Sequence, residues 1–107
     1  MVELIRQQRH FLQLLLQATS AQRKDLLYTI TKQQLRALSQ IAYNILKFKI
    51  RLSSQEKTRL KRQRRTVYVL GNRKIGYQQK KEALQHQQRL VYTLVKIASG
   101  YLESVLI

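Results

Sequence analysis

Apolar residues recur along most of the chain at spacings of three, four and seven, which is the period of an amphipathic α-helix. The N-terminal stripe consists of Leu4, Ile5, Leu12, Leu15 and Leu16. This stripe predicts a helix over residues 2–17 whose apolar face needs a partner helix. Because the chain has no proline and only three glycines, few residues interrupt a helix, and the whole pattern is typical of an all-α protein.

Two further helices are predicted from residues suited to cap a helix N-terminus. Ser20 is placed to cap a short helix over residues 21–29. Thr31 and Gln34 have the spacing of a capping box, which opens a helix over residues 32–48. Its apolar stripe consists of Leu35, Leu38, Ile41, Ala42, Ile45 and Leu46. This stripe is the most regular in the chain, so we expect this helix to form the centre of the core.

A second capping box, Ser53 with Glu56, predicts a helix over residues 54–70. Gly71 followed by Asn72 is typical of a left-handed C-terminal stop. The apolar strip of this helix consists of Leu60, Val67 and Leu70. We expect the strip to face the core.

The C-terminal part contains no strong helix breaker between residues 77 and 99, and a last helix is predicted over residues 101–106. The polar run at residues 85–89 favours a bend, so residues 77–99 are compatible with one helix or with two. We therefore expect residues 1–107 to form a single domain, a compact bundle of five or six helices. The amphipathic segment Leu90–Ile107 is expected to pack on the domain or on a second copy of it.

The chain is strongly basic, with 21 Lys and Arg against 5 Asp and Glu and a net charge of +16. Residues 57–81 contain no acidic residue. The basic residues of this segment are Lys57, Arg59, Lys61, Arg62, Arg64, Arg65, Arg73, Lys74, Lys80 and Lys81. A solvated helix face normally mixes charges of both signs, because like charges four residues apart repel. The segment therefore predicts a surface that neutralises the phosphates of a nucleic acid.

Double-stranded DNA is the expected partner, bound through its backbone without base readout. Single-stranded or structured RNA usually requires aromatic residues on which bases stack. Only Tyr68 and Tyr77 lie next to the basic residues, within residues 57–81. The other tyrosines, Tyr28, Tyr43, Tyr92 and Tyr101, lie in apolar helical stretches and are expected to pack in the interior. RNA stays open as a second partner.

Neither catalysis nor metal binding is indicated. The chain has no cysteine, and its two histidines, His10 and His86, lie far apart without carboxylates at ligand spacing. No nucleophile with a neighbouring base and no glycine-rich phosphate loop is present. We expect a non-enzymatic protein without a cofactor.

Two other functions compete with DNA condensation. The helices over residues 21–29 and 32–48 could form a helix-turn-helix that reads a major groove. Its reading side would carry Lys32, Gln33, Arg36 and Gln40. Alternatively, the amphipathic segment Leu90–Ile107 could act on an anionic membrane as part of a capsid.

A membrane-spanning or secreted protein is not expected. No apolar run approaches the ~18–20 residues that a span requires, and Lys96 interrupts the longest candidate. Glu3, Gln13 and Gln17 interrupt the N-terminal apolar stretch, which argues against a signal peptide. We expect an intracellular protein.

Several segments, in this order along the chain, resemble the small basic proteins of Polinton/Maverick-type elements and adintovirus-like genomes of invertebrates. They are Phe11–Leu16, residues 21–31 with Ala21-Gln22-Arg23-Lys24, Leu35–Leu46, Leu60-Lys61-Arg62 and Arg73-Lys74-Ile75. The resemblance covers roughly residues 10–85. It implies a virion core protein that condenses a double-stranded DNA genome in the nucleus. The chain departs from the family at residues 85–107, where a helix-compatible tail replaces a glycine-rich apolar tract.

Overall fold

Helices make up nearly all of the chain that the computed structural model describes, residues 2–47 and 52–106. In that part they are α1 (Val2–Gln7), α2 (Arg9–Gln17), α3 (Ser20–Tyr28), α4 (Lys32–Leu46), α5 (Ser54–Arg62), α6 (Arg64–Gly71), α7 (Tyr77–Gln85) and α8 (Gln88–Leu106). The all-α prediction is confirmed. The predicted number of helices, five or six, is too low for these described ranges, where the structure has eight.

The additional helices arise because two predicted helices are each interrupted once. The helix predicted over residues 2–17 breaks at Gln8, and the one predicted over residues 54–70 breaks at Gln63, whose φ and ψ are −116° and 19°. The Gln63 N–H donates to the Leu60 carbonyl oxygen at 3.0 Å, three residues back instead of four. Since the backbone amide stays hydrogen-bonded, the interruption costs little. It leaves α5 packed on α8 while α6 packs on α4 and α7.

Capping interactions set three of the helix starts. The predicted capping boxes at Thr31 and Ser53 are confirmed. For α3 the cap is Thr19 and not Ser20: the Thr19 Oγ1 accepts from the Gln22 N–H at 3.2 Å, and the Gln22 Oε1 accepts from the Thr19 N–H at 2.9 Å. A threonine with glutamine three residues later forms the same reciprocal box as the other two.

The predicted left-handed stop at Gly71 is wrong. Gly71 is the last residue of α6 and is buried, and Asn72 has an extended backbone with φ of −86°. A Cβ at position 71 would lie 2.6 Å from the Leu46 Cδ1 and 3.1 Å from the Tyr43 backbone nitrogen. Glycine is therefore required there because α6 approaches α4 closely.

The core surrounds α4, as predicted. Its buried residues include Leu35, Leu38, Ile41, Ala42 and Ile45. Helices α1, α6, α7 and α8 all pack against it. The helix ends at Leu46, and Phe48, the predicted last residue, lies outside the described residues.

The C-terminal helix α8 packs on α2, α4 and α5. Its buried residues are Leu90, Val91, Leu94, Val95, Ile97 and Ala98. The expected packing of this segment on the domain is confirmed for these residues, and the side chains of residues 101–107 lie outside the described part. A turn at His86 separates α7 from α8. Of the two alternatives for residues 77–99, the structure therefore has two helices. Helix α8 continues through Gly100, so a separate helix over residues 101–106 is not formed.

Candidate nucleic-acid interface

Six basic residues of the predicted segment are all exposed on two consecutive helices, and together they are called the α5–α6 surface. They are Lys57, Arg59, Lys61 and Arg62 on α5, and Arg64 and Arg65 on α6. Leu60 and Val67 are buried and hold the two helices on the core. Because the helix breaks at Gln63, these cations do not lie along the single helix predicted over residues 54–70. They are displayed by two packed helices instead.

No carboxylate neutralises this surface among the side chains that the structure describes. The ion pair that is found among the described side chains lies elsewhere, on α1, where Arg6 and Glu3 are 3.4 Å apart. Glu56, the acidic residue of α5, instead accepts from the Ser53 N–H at 2.8 Å as part of the capping box. The cations of the α5–α6 surface therefore have no ion-pair partner among the described side chains.

The remaining predicted contact residues lie on the α6–α7 connection and on α7. Arg73 and Lys74 are exposed, and the Arg73 guanidinium lies 4.5 Å from the centre of the Tyr43 ring. Lys81 is half-buried, with its Nζ 5.7 Å from the centre of the Tyr28 ring. Three of the four residues therefore remain accessible to a partner.

Lys80 is the exception, and its prediction as a surface contact is corrected. It is only 9% exposed, and its Nζ donates to the Ser39 Oγ at 3.4 Å. Burial lowers the pKa of Lys80 below its ordinary value, because a desolvated ammonium is less favourable than a solvated one. Lys80 shares the helical spacing of Tyr77 and Leu84, so it lies on the inward side of α7.

Helix α8 adds a basic residue to this surface. Arg89 lines, with Arg59 and Arg62 of α5, an open groove of about 820 Å³ between the two helices. Sequence reasoning missed Arg89, because it lies outside the basic segment and only the packing of α5 on α8 brings it there.

Arg23 closes the groove from α3 and was also missed. It is 9% exposed, and its guanidinium donates from Nε to the Leu15 carbonyl oxygen at 3.1 Å and from Nη2 to the Ala18 carbonyl oxygen at 3.0 Å. Its spacing of four residues from the buried Leu27 was the signal that it faces inward. Arg23 therefore has mainly a structural role in the groove, because its guanidinium bonds to the protein backbone and little of its side chain is exposed.

The tyrosines fall into two groups. Tyr43 and Tyr92 are half-buried with cations over their rings, and the Tyr77 hydroxyl donates to the Ile30 carbonyl oxygen. Tyr28 and Tyr68 are exposed, by 69% and 60%. The expectation that Tyr28 packs in the interior is thus wrong, while Tyr101 lies outside the described side chains.

The two helices of the alternative helix-turn-helix, α3 and α4, each pack mainly on other helices. Helix α3 packs mainly on α7 and α8, whereas α4 packs on α1, α6, α7 and α8. Lys32, Gln33 and Arg36 are all exposed on α4, and the partly buried Gln40 donates to the Asn44 Oδ1 at 3.0 Å. In a helix-turn-helix the first helix supports the second across the turn.

In the described ranges, no group of three His, Asp or Glu side chains is arranged to hold a metal ion, and none of the helices has the length and apolar character of a membrane span.

Comparison with protein-family models, with curated proteins and with solved structures finds no match. The fold and the site therefore define the chain as an all-helical protein with a concentrated cationic surface.

Proposed function

We propose that this protein binds double-stranded DNA through its phosphates, largely independently of sequence, and condenses it. The observation that carries the proposal is the α5–α6 surface, six exposed cations without a carboxylate partner among the described side chains. Each phosphate that such a cation neutralises releases condensed counterions, which favours binding to any duplex. The protein acts by binding alone, without catalysis.

A duplex suits this surface better than a single strand does. The two exposed tyrosines, Tyr28 and Tyr68, lie on different helices, α3 and α6, and do not provide a row of rings for successive bases. Arg89 extends the cations along the groove beside α5, which favours an extended backbone as the ligand. RNA is the alternative partner and forms an arm of the test.

A virion core protein that packages a double-stranded DNA genome in the nucleus is the biological role we propose. It rests on the resemblance of residues 10–85 to the basic proteins of Polinton/Maverick-type elements, together with the net charge of +16. A sequence-specific regulator receives less support, because α3 packs mainly on α7 and α8. Membrane action through α8 also receives less support, because its apolar residues from Leu90 to Ala98 are buried in the fold.

The test is a set of binding isotherms measured by fluorescence anisotropy at several salt concentrations. The probes are two duplexes of unrelated sequence and a single-stranded RNA, with anionic vesicles assayed by sedimentation. We expect equal affinity for both duplexes and a slope of log affinity against log salt of about −4 to −7, from ~5–8 phosphate contacts. A site bound ~1,000-fold more tightly than random DNA, or a slope near zero, would overturn the proposal.

A further inference from the structure

A second groove lies between α4 and the α6–α7 connection, away from the α5–α6 surface. Its volume is about 450 Å³, and it shares no lining residue with the groove between α5 and α8. Its basic lining residues are Lys32 and Arg36 on α4, Arg73 on the connection, and Lys80 on α7. None of the described residues that line it is acidic. Four basic residues thus line one concave site that has no acidic lining residue in the described part of the chain.

Lys80 distinguishes this groove from a solvated basic face. The side chain is more than nine-tenths buried, yet its ammonium makes a single hydrogen bond, the 3.4 Å bond to the Ser39 Oγ. An ammonium has three donors, and its partial removal from water without an anion is unfavourable. This desolvation also lowers the pKa of Lys80 below its ordinary value. An anion in the groove would remove this cost by restoring a charged partner.

The other walls of the groove are held in place. Arg73 is fixed by its contact with the Tyr43 ring, 4.5 Å from the guanidinium carbon, and Tyr43 itself lines the groove. Tyr77 is fixed by its hydrogen bond to the Ile30 carbonyl oxygen. Ser39 adds a hydroxyl that can accept from Lys80 and donate to a ligand. Since Arg73, Tyr77 and Ser39 already have partners, ordering on binding is needed mainly for the exposed side chains of Lys32 and Arg36.

We propose that this groove is a specific binding pocket for a phosphate group, with Lys80 at its base and Lys32, Arg36 and Arg73 around it. A phosphate suits the pocket better than a carboxylate, because several oxygens and more than one negative charge meet several cations at once. The phosphate comes either from a nucleic-acid backbone or from a small soluble phosphate compound. The proposal stands on this groove alone and does not require the α5–α6 surface to bind DNA.

The test uses the full chain and inorganic pyrophosphate as the probe, with ionic strength held constant by sodium chloride. Isothermal titration calorimetry is carried out on the wild type, Lys80→Met, Arg36→Gln and Lys24→Met. Lys80→Met keeps most of the apolar stem, and Arg36 lines the groove from α4. Lys24 is the charge-matched control, exposed on α3 and outside both the groove and the α5–α6 surface. Circular dichroism verifies that each variant is folded.

We expect saturable binding of pyrophosphate to the wild type, at least tenfold weaker binding to Lys80→Met, and several-fold weaker binding to Arg36→Gln. Lys24→Met should bind as the wild type does. A duplex added to the pyrophosphate complex distinguishes the sources: displacement identifies a backbone phosphate, and simultaneous binding identifies a small soluble phosphate. If no duplex binds at all, the proposed DNA function fails while the pyrophosphate result still decides the pocket. Equal binding by Lys80→Met and the wild type, or an equal loss in Lys24→Met, would overturn the pocket.

Discussion

The guanidinium of Arg23 lies over the ring of Tyr92, with its central carbon 5.0 Å from the ring centre. The same guanidinium donates to the carbonyl oxygens of Leu15 and Ala18. One buried cation therefore joins the end of α2, the start of α3 and the inner side of α8. Its hydrogen bonds also satisfy carbonyl groups at a helix C-terminus that would otherwise lack partners.

Replacing Arg23 with methionine should destabilise the protein by about 2–3 kcal/mol, since hydrogen bonds to charged groups contribute that much and two carbonyl groups lose their donor. Urea unfolding followed by circular dichroism measures the change. Arg59→Met is the control, because Arg59 lines the same groove but is exposed. A similar loss of stability in both variants would show that Arg23 has no special structural role.

The basic residues of the α5–α6 surface should contribute to DNA binding but not to the stability of the fold. The first variant replaces five residues with glutamine: Arg59, Lys61, Arg62, Arg64 and Arg65. Its stability should be unchanged or slightly raised, because like-charge repulsion falls. Its salt slope for duplex binding should be shallower by about 0.9 for each phosphate that the variant no longer neutralises.

The matched control carries the same reduction of charge elsewhere, at Arg6, Arg9, Lys24, Lys47 and Lys96, all of which are exposed. It should retain the wild-type slope more closely. If the two variants show the same decrease in affinity and slope, binding follows net charge and has no defined surface.

Leu60→Ala should destabilise the protein by ~2–5 kcal/mol, because a buried leucine leaves a cavity when it is truncated. Leu14→Ala is the control: Leu14 is 53% exposed, so its truncation should cost little. Thermal melts of both variants measure the difference. Leu60→Ala should also keep the DNA salt slope of the wild type in the folded fraction, since it removes no charge. A changed slope would mean that α5 is repositioned.

Two glycines should respond in opposite directions to alanine. Gly71→Ala should destabilise the protein by about 1–3 kcal/mol, because its Cβ overpacks the contact with Leu46 and Tyr43. Gly100 lies inside α8, and no heavy atom lies within 4 Å of the position that a Cβ would occupy there. Gly100→Ala should therefore stabilise the protein by ~0.5–1 kcal/mol. Denaturant midpoints measure both, and a neutral Gly71→Ala would show that α6 can move away from α4.

Titration of Lys80 should make the free energy of unfolding depend on pH in the range below 10.5. Burial lowers the pKa of Lys80 in the folded state below the ordinary value of 10.5. Between these two pKa values the unfolded chain binds more protons than the folded chain does. The free energy of unfolding therefore rises with pH across that window. Lys80→Met removes the desolvation cost. It should raise the melting temperature at neutral pH, and the gain should shrink as the pH approaches 10.5.

The groups facing Lys80 across the groove are Lys32, Arg36, Tyr43, Arg73 and Tyr77. They are present in both proteins, so their titration largely cancels in the difference. A gain in melting temperature that does not change with pH would assign the effect to packing of the methionine and not to charge.

The helix starts and the type of fold could be read from the sequence because they depend on interactions within a few residues. Thr31 and Ser53 each bond to a residue three positions later, and such contacts need no distant partner. The same applies to the regular stripe of α4, whose spacing identifies the inner side of that helix. The concentration of positive charge in residues 57–81 is likewise a property of the sequence alone.

The tertiary structure decided where those helices break and which cations are displayed. Gln8 and Gln63 are ordinary helix residues, and the breaks there follow from packing the two halves on different partners. Arg23 and Lys80 carry the same charge as their exposed neighbours, yet packing of α3 and α7 buries them. Burial depends on which helices meet, a long-range property that hydrophobic spacing constrains only to one side of a helix. The two basic grooves, each assembled from at least three helices, therefore exist only in the folded chain.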